Sequence, residues 1–171
     1  AELVKTGAEG NPLAGAQFQV LNTDMEPVLT GLLSKADGTV LAEKLAPGRY
    51  YFQETKASDG YLLNEELLAF EIAAEAAGKP LTVEAGTLMN YKGSAELIKT
   101  SEEGTPLSGA VFALYSEAGE RIEEELITDE EGKVRVDNLS PGVYEFREVS
   151  APEGYIRNLH GLIFTIHAQA E

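Results

Sequence analysis

Three polar residues stand where the sequence pattern otherwise asks for apolar ones. Lys5 follows Leu3 by two positions, Glu54 follows Tyr50 and Phe52 at the same spacing, and Asn90 follows Leu88. Residues two apart on an extended strand share a face, so each of the three points the same way as an apolar neighbour. A lysine, a glutamate and an asparagine sent separately into a core would be costly, whereas together they satisfy one another. Burial disfavours charge, so such a lysine shifts toward the neutral, nucleophilic amine and such a glutamate toward the protonated acid. The same trio also fits a plainer arrangement: a buried, hydrogen-bonded Lys5–Glu54 ion pair with Asn90 at an ordinary strand end.

Composition removes most other chemistry. The chain has 171 residues, 13 basic and 29 acidic, for a formal net charge of −16, and it is 43% hydrophobic. That is apolar enough for a core, while a surface this negative repels phosphate backbones, so neither nucleic acid nor an anionic membrane is an expected partner. With no cysteine there are no disulfides, zinc fingers, thiol nucleophiles or iron–sulfur sites. The two histidines, His160 and His167, flank a predicted strand on opposite faces and read as incidental. The acidic runs Glu123–Glu125 and Asp129–Glu131 lack the spaced ligands of a calcium loop and read as a solvated face. Among 29 acids, neighbouring carboxylates suited to a glycosidase are expected by chance. No glycine-rich phosphate loop or Ser/His/Asp set stands out, so no cofactor and no metal is expected. No apolar run approaches the roughly 18 residues that span a bilayer. The targeting and anchoring signals of an exported protein would therefore lie outside this stretch.

The elements that must position the trio are duplicated. AELVKT at Ala1–Thr6 returns as AELIKT at Ala95–Thr100, placing Lys99 94 positions after Lys5. The same offset carries Pro12, Leu13, Gly15, Ala16 and Phe18 onto Pro106, Leu107, Gly109, Ala110 and Phe112 without a gap. It also carries Pro47, Gly48, Tyr50, Phe52, Glu54, Gly60 and Tyr61 onto Pro141, Gly142, Tyr144, Phe146, Glu148, Gly154 and Tyr155. The chain thus reads as two copies of one domain, 1–92 and 93–171, with Lys92, Gly93 and Ser94 as the linker. Glu171 matches Ala77, so the second copy is expected to lack its last strand.

Period-2 alternation between Gly and Pro punctuation predicts an all-β fold of antiparallel strands in two sandwiches. In GAQFQV, Ala16, Phe18 and Val20 share a face; in PGVYEFRE, Tyr144, Phe146 and Glu148 point inward and Val143, Glu145 and Arg147 outward. Asn64–Lys79 is rich in helix formers, but its counterpart carries Gly161, Ile163, Thr165 and Ile166, which predicts a strand in both copies. Leu68, Phe70 and Ile72 then face inward, as do Leu162, Phe164 and Ile166.

The pattern K-T…G-x-P-L-x-G-A-x-F, then L-x-P-G-x-Y-x-F-x-E, then A-P-x-G-Y at Ala151–Tyr155 resembles the Cna B-type repeat of Gram-positive surface adhesins and pilins. The resemblance covers nearly the whole chain twice. It implies Ig-like/transthyretin-like sandwiches and, in many members, a self-made isopeptide bond between a first-strand Lys and a last-strand Asn or Asp, promoted by a Glu. Carried over by position, these are Lys5, Asn90 and Glu54. A protonated Glu54 would donate to the Asn90 amide oxygen, polarising its carbon for attack by Lys5 as ammonia leaves. The first copy has Ser58 where the family usually has Pro, which is expected to alter the loop more than the chemistry.

In the second copy the equivalents are Lys99 and Glu148, with no Asn at the matching place. Asn158 matches Asn64 and is a poor substitute, so Lys99 is expected to stay uncoupled. The resemblance implies a stalk or spacer module, extracellular on a bacterial cell surface and wall-anchored through regions outside this stretch. Its partners would be neighbouring domains of the same protein. It would not be an enzyme, since the bond forms once per molecule. The rival expectation is an adhesion module that binds a host matrix protein or glycan, and a weaker one is a hydrolase.

Overall fold

Apolar–polar alternation between tight turns gives thirteen strands in the computed structural model, which describes residues 1–74 and 82–168. Among the described residues there is no helix, and hence none long and apolar enough to cross a membrane. The chain divides into two compact units, Ala1–Tyr91 and Lys92–Ala168.

The first unit contains β1 (Glu2–Gly7), β2 (Gln17–Leu21), β3 (Pro27–Leu33), β4 (Thr39–Leu41), β5 (Gly48–Lys56), β6 (Leu68–Ile72) and β7 (Glu84–Asn90). One sheet runs β3-β2-β5-β6 and the other β4-β1-β7. Leu3, Phe18, Val20, Val40, Phe52, Phe70 and Leu88 are buried between them, with the Phe52 and Phe70 rings 4.8 Å apart. The fold is all-β and its pairs are antiparallel except one: β1 and β7 run parallel, with Lys5 opposite Leu88 and Gly7 opposite Asn90. Parallel neighbours need a long crossover, and here the crossover is the rest of the sandwich.

The second unit repeats this order as β8 (Gly93–Ile98), β9 (Val111–Ser116), β10 (Arg121–Ile127), β11 (Lys133–Leu139), β12 (Gly142–Ser150) and β13 (Leu162–Ile166). Its sheets are β10-β9-β12-β13 and β11-β8, over a core that includes Phe112, Leu114, Val134, Val136 and Phe146. Among the described residues nothing takes the place of β7.

Three sequence expectations need correction. Gly93 and Ser94 belong to β8, Gly93 lying opposite Leu139, so only Tyr91 and Lys92 separate β7 from β8. A Cβ on Gly93 would come within 2.5 Å of the Ile166 side chain, so this glycine serves close packing and not linkage. Leu162 was expected inside but is 51% exposed, while its twin Leu68 is half-buried with its Cδ1 beside Gly86 of β7. Among the described residues, the strand that covers the one has no counterpart over the other. Ser58 keeps the turn that Pro152 makes in the second copy: the Tyr61 N–H donates to the Ser58 carbonyl at 3.1 Å, as the Tyr155 N–H does to the Pro152 carbonyl at 3.1 Å. Of the ambiguous segment Asn64–Lys79, residues 68–72 form β6, while 75–79 lie outside the described residues.

Candidate functional site

The backbone of Lys5 is pinned before its side chain does anything. Its N–H donates to the Gly38 carbonyl at 2.8 Å and its carbonyl accepts from the Leu13 N–H at 2.9 Å. Gly38, at φ 80°, closes the turn between β3 and β4 so near β1 that any Cβ there would collide with the Lys5 carbonyl oxygen. The Lys5 side chain then enters the sandwich from β1, Asn90 enters from the adjacent β7, and Glu54 comes from β5 in the facing sheet. Strand alternation puts all three on inward faces, and they are 0%, 1% and 3% exposed respectively.

The structure brings the three together. Lys5 Nζ donates to Asn90 Oδ1 and, at 3.1 Å, to the Leu88 carbonyl, and it lies 3.5 Å from Glu54 Oε1. Asn90 Nδ2 donates to Glu54 Oε1 at 3.0 Å. The Lys5 ammonium is held below its ordinary pKa by burial, against the opposing pull of Glu54. The Glu54 carboxyl is pushed up by burial, against the lowering effects of the Asn64 N–H, Lys5 and Asn90. Both shifts favour the uncharged pair, an amine nucleophile beside a protonated acid. One arrangement differs from the sequence expectation: Glu54 faces the nitrogen of the Asn90 amide and Lys5 faces its oxygen. A carboxyl oxygen in this position is suited to proton exchange with a departing amide nitrogen.

Sequence reasoning missed the role of Asn64. Its backbone N–H donates to Glu54 Oε2 at 2.8 Å and its Nδ2 to the Met89 carbonyl at 2.7 Å. It therefore orients the acid and ties the loop after β5 to β7 next to Asn90. The available signal was its recurrence as Asn158 in a stretch whose neighbours differ. A cavity of about 290 Å³ lined by Leu62, Asn64, Met89, Asn90 and Tyr91 opens beside the amide.

The second unit holds two-thirds of the same arrangement. Lys99 Nζ lies 3.3 Å from Glu148 Oε2, which also accepts from the Asn158 N–H at 2.7 Å. Asn158 Oδ1 accepts from the His160 N–H at 2.9 Å. Glu148 Oε1, twin of the oxygen that accepts from Asn90, is buried with no partner among the described residues. The Lys99 side chain is 18% exposed where that of Lys5 is fully buried. Among the described residues no group of His, Asp and Glu is arranged to hold a metal ion.

Comparison with known proteins follows the same division. The family model for SpaA, a prealbumin-like fold domain, matches residues 1–86 and again 93–171. A comparison with curated proteins returns no match. Among solved structures, the Bacillus anthracis TIE protein is similar over 98% of this chain at 30% identity with a TM-score of 0.63. This chain spans only 32% of that protein's length. The C-terminal fragment of the pilus adhesin SpaC from Lactobacillus rhamnosus GG is similar over 97% of this chain and 80% of its own, with a TM-score of 0.52. At 20% identity that likeness is one of fold.

Proposed function

The chain belongs to the SpaA prealbumin-like fold family, and on that premise we propose that it is a structural module of a Gram-positive surface pilus or adhesin, stiffened by an isopeptide bond between Lys5 and Asn90. The observation that carries the bond is the enclosure of an amine, an amide and an acid, the amide hydrogen-bonded to both of the others and all at most 3% exposed. In the reaction the neutral Lys5 Nζ attacks Asn90 Cγ. A proton leaves the attacking nitrogen, Glu54 relays a proton to Nδ2, the Cγ–Nδ2 bond breaks and ammonia departs, so the new amide forms with no co-reactant. Glu54 ends protonated, as it began. Exclusion of water keeps the charge-separated form of the pair unfavourable and protects the amide from hydrolysis. Each molecule reacts once, so this is maturation and not turnover.

The module comprises domains 1–92 and 93–171, works outside the cell, and has neighbouring domains of the same surface protein as its partners. Lys99 and Glu148 stay uncoupled in the second domain because, among the described residues, no amide reaches them. The test is the intact mass of the folded chain. It should fall short of the sequence mass by one ammonia, and Lys5→Ala, Asn90→Ala and Glu54→Ala should each restore the full value. Full mass in the folded wild-type chain would refute the bond.

A further inference from the structure

The second unit carries a cluster of cations that its fold does not require. Of the five arginines in this chain of net charge −16, three, Arg121, Arg147 and Arg157, line one cavity of about 350 Å³ beside the outward face of β9 and β12, together with His160. The duplication supplies the control. At an offset of 94 these positions hold Pro27, Gln53, Leu63 and Glu66 in the first unit, with the same strands built around them. The arginines are therefore an addition to the sandwich and not part of its construction.

Each guanidinium is placed, but none is used up. Arg147 lies over the Tyr115 ring at 4.3 Å and spends Nε and Nη2 on Glu145 Oε2, at 2.9 and 2.6 Å. Stacking fixes the plane of the fork, which is the geometry suited to a planar carboxylate or a sulfate. Arg121 donates through Nε to the Tyr115 hydroxyl at 3.3 Å and pairs with Glu124 at 2.9 Å. Both partners in that pair are exposed, so the ion pair is weak and opens at little cost. Arg157 touches only a backbone carbonyl, that of Val149, at 3.3 Å, and has no carboxylate partner among the described residues. Glu148 reaches the floor of the cavity, where its Oε2 lies 3.3 Å from Lys99 Nζ. Glu145 also lines the cavity, paired with Arg147, so Arg157 is the one guanidinium there without a carboxylate partner among the described residues. Leu159 and Val149, both exposed, add an apolar wall.

We propose that this cavity binds an acidic saccharide, a sugar unit carrying a carboxylate or sulfate. Its anionic group is taken by Arg157 and the available edges of Arg147 and Arg121, and the C–H face of its ring lies against Leu159 and Val149. An inorganic anion would leave the apolar wall unused. An extended acidic peptide would need a groove longer than one of this volume. The site is independent of the Lys5–Asn90 chemistry and stands whether or not that bond forms.

The test titrates the whole 171-residue chain with a sulfated, uronate-containing heparin disaccharide. A neutral disaccharide of the same size, inorganic sulfate and a glutamate-rich peptide serve as comparisons. Binding is read by calorimetry and by backbone and arginine side-chain NMR shifts. Arg157→Leu and Arg147→Gln, each installing the residue that the first unit tolerates at that place, should keep the fold and each weaken the acidic disaccharide about tenfold, as expected for loss of a charged hydrogen bond. Shifts should centre on Arg157, Leu159 and His160. Absence of saturable binding at millimolar disaccharide would overturn the proposal. So would equal binding of the neutral disaccharide, tighter binding of sulfate alone or of the peptide, or affinity unchanged in both variants.

Discussion

Removing the amide while keeping the amine and the acid is the sharpest test of the cross-link's contribution to stability. Asn90→Ala deletes the electrophile and leaves Lys5 and Glu54 in place. Lys5 and Asn90 are 85 positions apart in sequence, and the chain-entropy relation for a closed loop of that size gives about 4–5 kcal/mol. For a unit of this size each kcal/mol moves the melting temperature by roughly 4–8 °C, so loss of the cross-link should lower it by about 15–40 °C. Calorimetry of wild type and variant, each with its intact mass taken alongside, should show two transitions. The upper one should drop toward the lower, which belongs to the unit without the bond and should stay where it is. A variant whose upper transition falls well short of that, although the wild type carries the bond, would refute the loop-entropy reasoning. An upper transition that does not move would refute the assignment of the bond to Asn90.

Three further outcomes follow from the same geometry. Lys5→Met leaves Glu54 buried with its pKa raised above the ordinary 4.5; the folded state then holds a proton that the unfolded state has released, so first-unit stability should fall as pH rises from about 4.5 upward. Urea melts at pH 5 and pH 8 check this, and greater stability at pH 8 would contradict it. Among the described residues β8 bonds only to β11, so a synthetic peptide with the sequence of Thr82–Tyr91 should add to its other edge and couple to Lys99 with loss of ammonia. Glu148→Ala should abolish the coupling, and no mass adduct on the wild-type chain would sink the prediction. In single-molecule pulling from both termini, force enters the first unit at Lys5 and leaves at Asn90, so the segment between them should not extend at forces that unfold the second unit; a full-length extension of the first unit at those forces would exclude a load-bearing role.

The strands, their inward faces and the trio were legible because period-2 alternation is a direct readout of the pleat, and because the duplication cast a second vote wherever propensity was ambiguous. Gly161 and Ile163 decided that Asn64–Lys79 contains a strand despite its helix formers, and β6 lies there. Sequence spacing could place Lys5, Glu54 and Asn90 on inward faces, but it could not show that β1 and β7 run side by side in parallel, since that depends on the path of the whole sandwich. Nor could it show which end of the Asn90 amide meets Glu54, or that Asn64 orients the acid through its own backbone N–H. Gly93 was misread for a related reason: a glycine that makes room for Ile166 looks, in sequence, like one that loosens a linker.

The two units also separate what a strand pattern specifies from what completes a site. Lys99 and Glu148 occupy the positions of Lys5 and Glu54, meet at 3.3 Å and receive the same backbone N–H from the loop after their strand. Folding of β8, β12 and that loop is thus sufficient to pair the base with the acid. What differs is desolvation: with a strand like β7 the lysine is fully buried, and without one its side chain stays 18% exposed and a buried glutamate oxygen lacks its donor. The strand therefore supplies the electrophile and also completes the enclosure of the lysine. An Asn placed near Lys99 by some other route, without a covering strand, should for this reason remain unreacted.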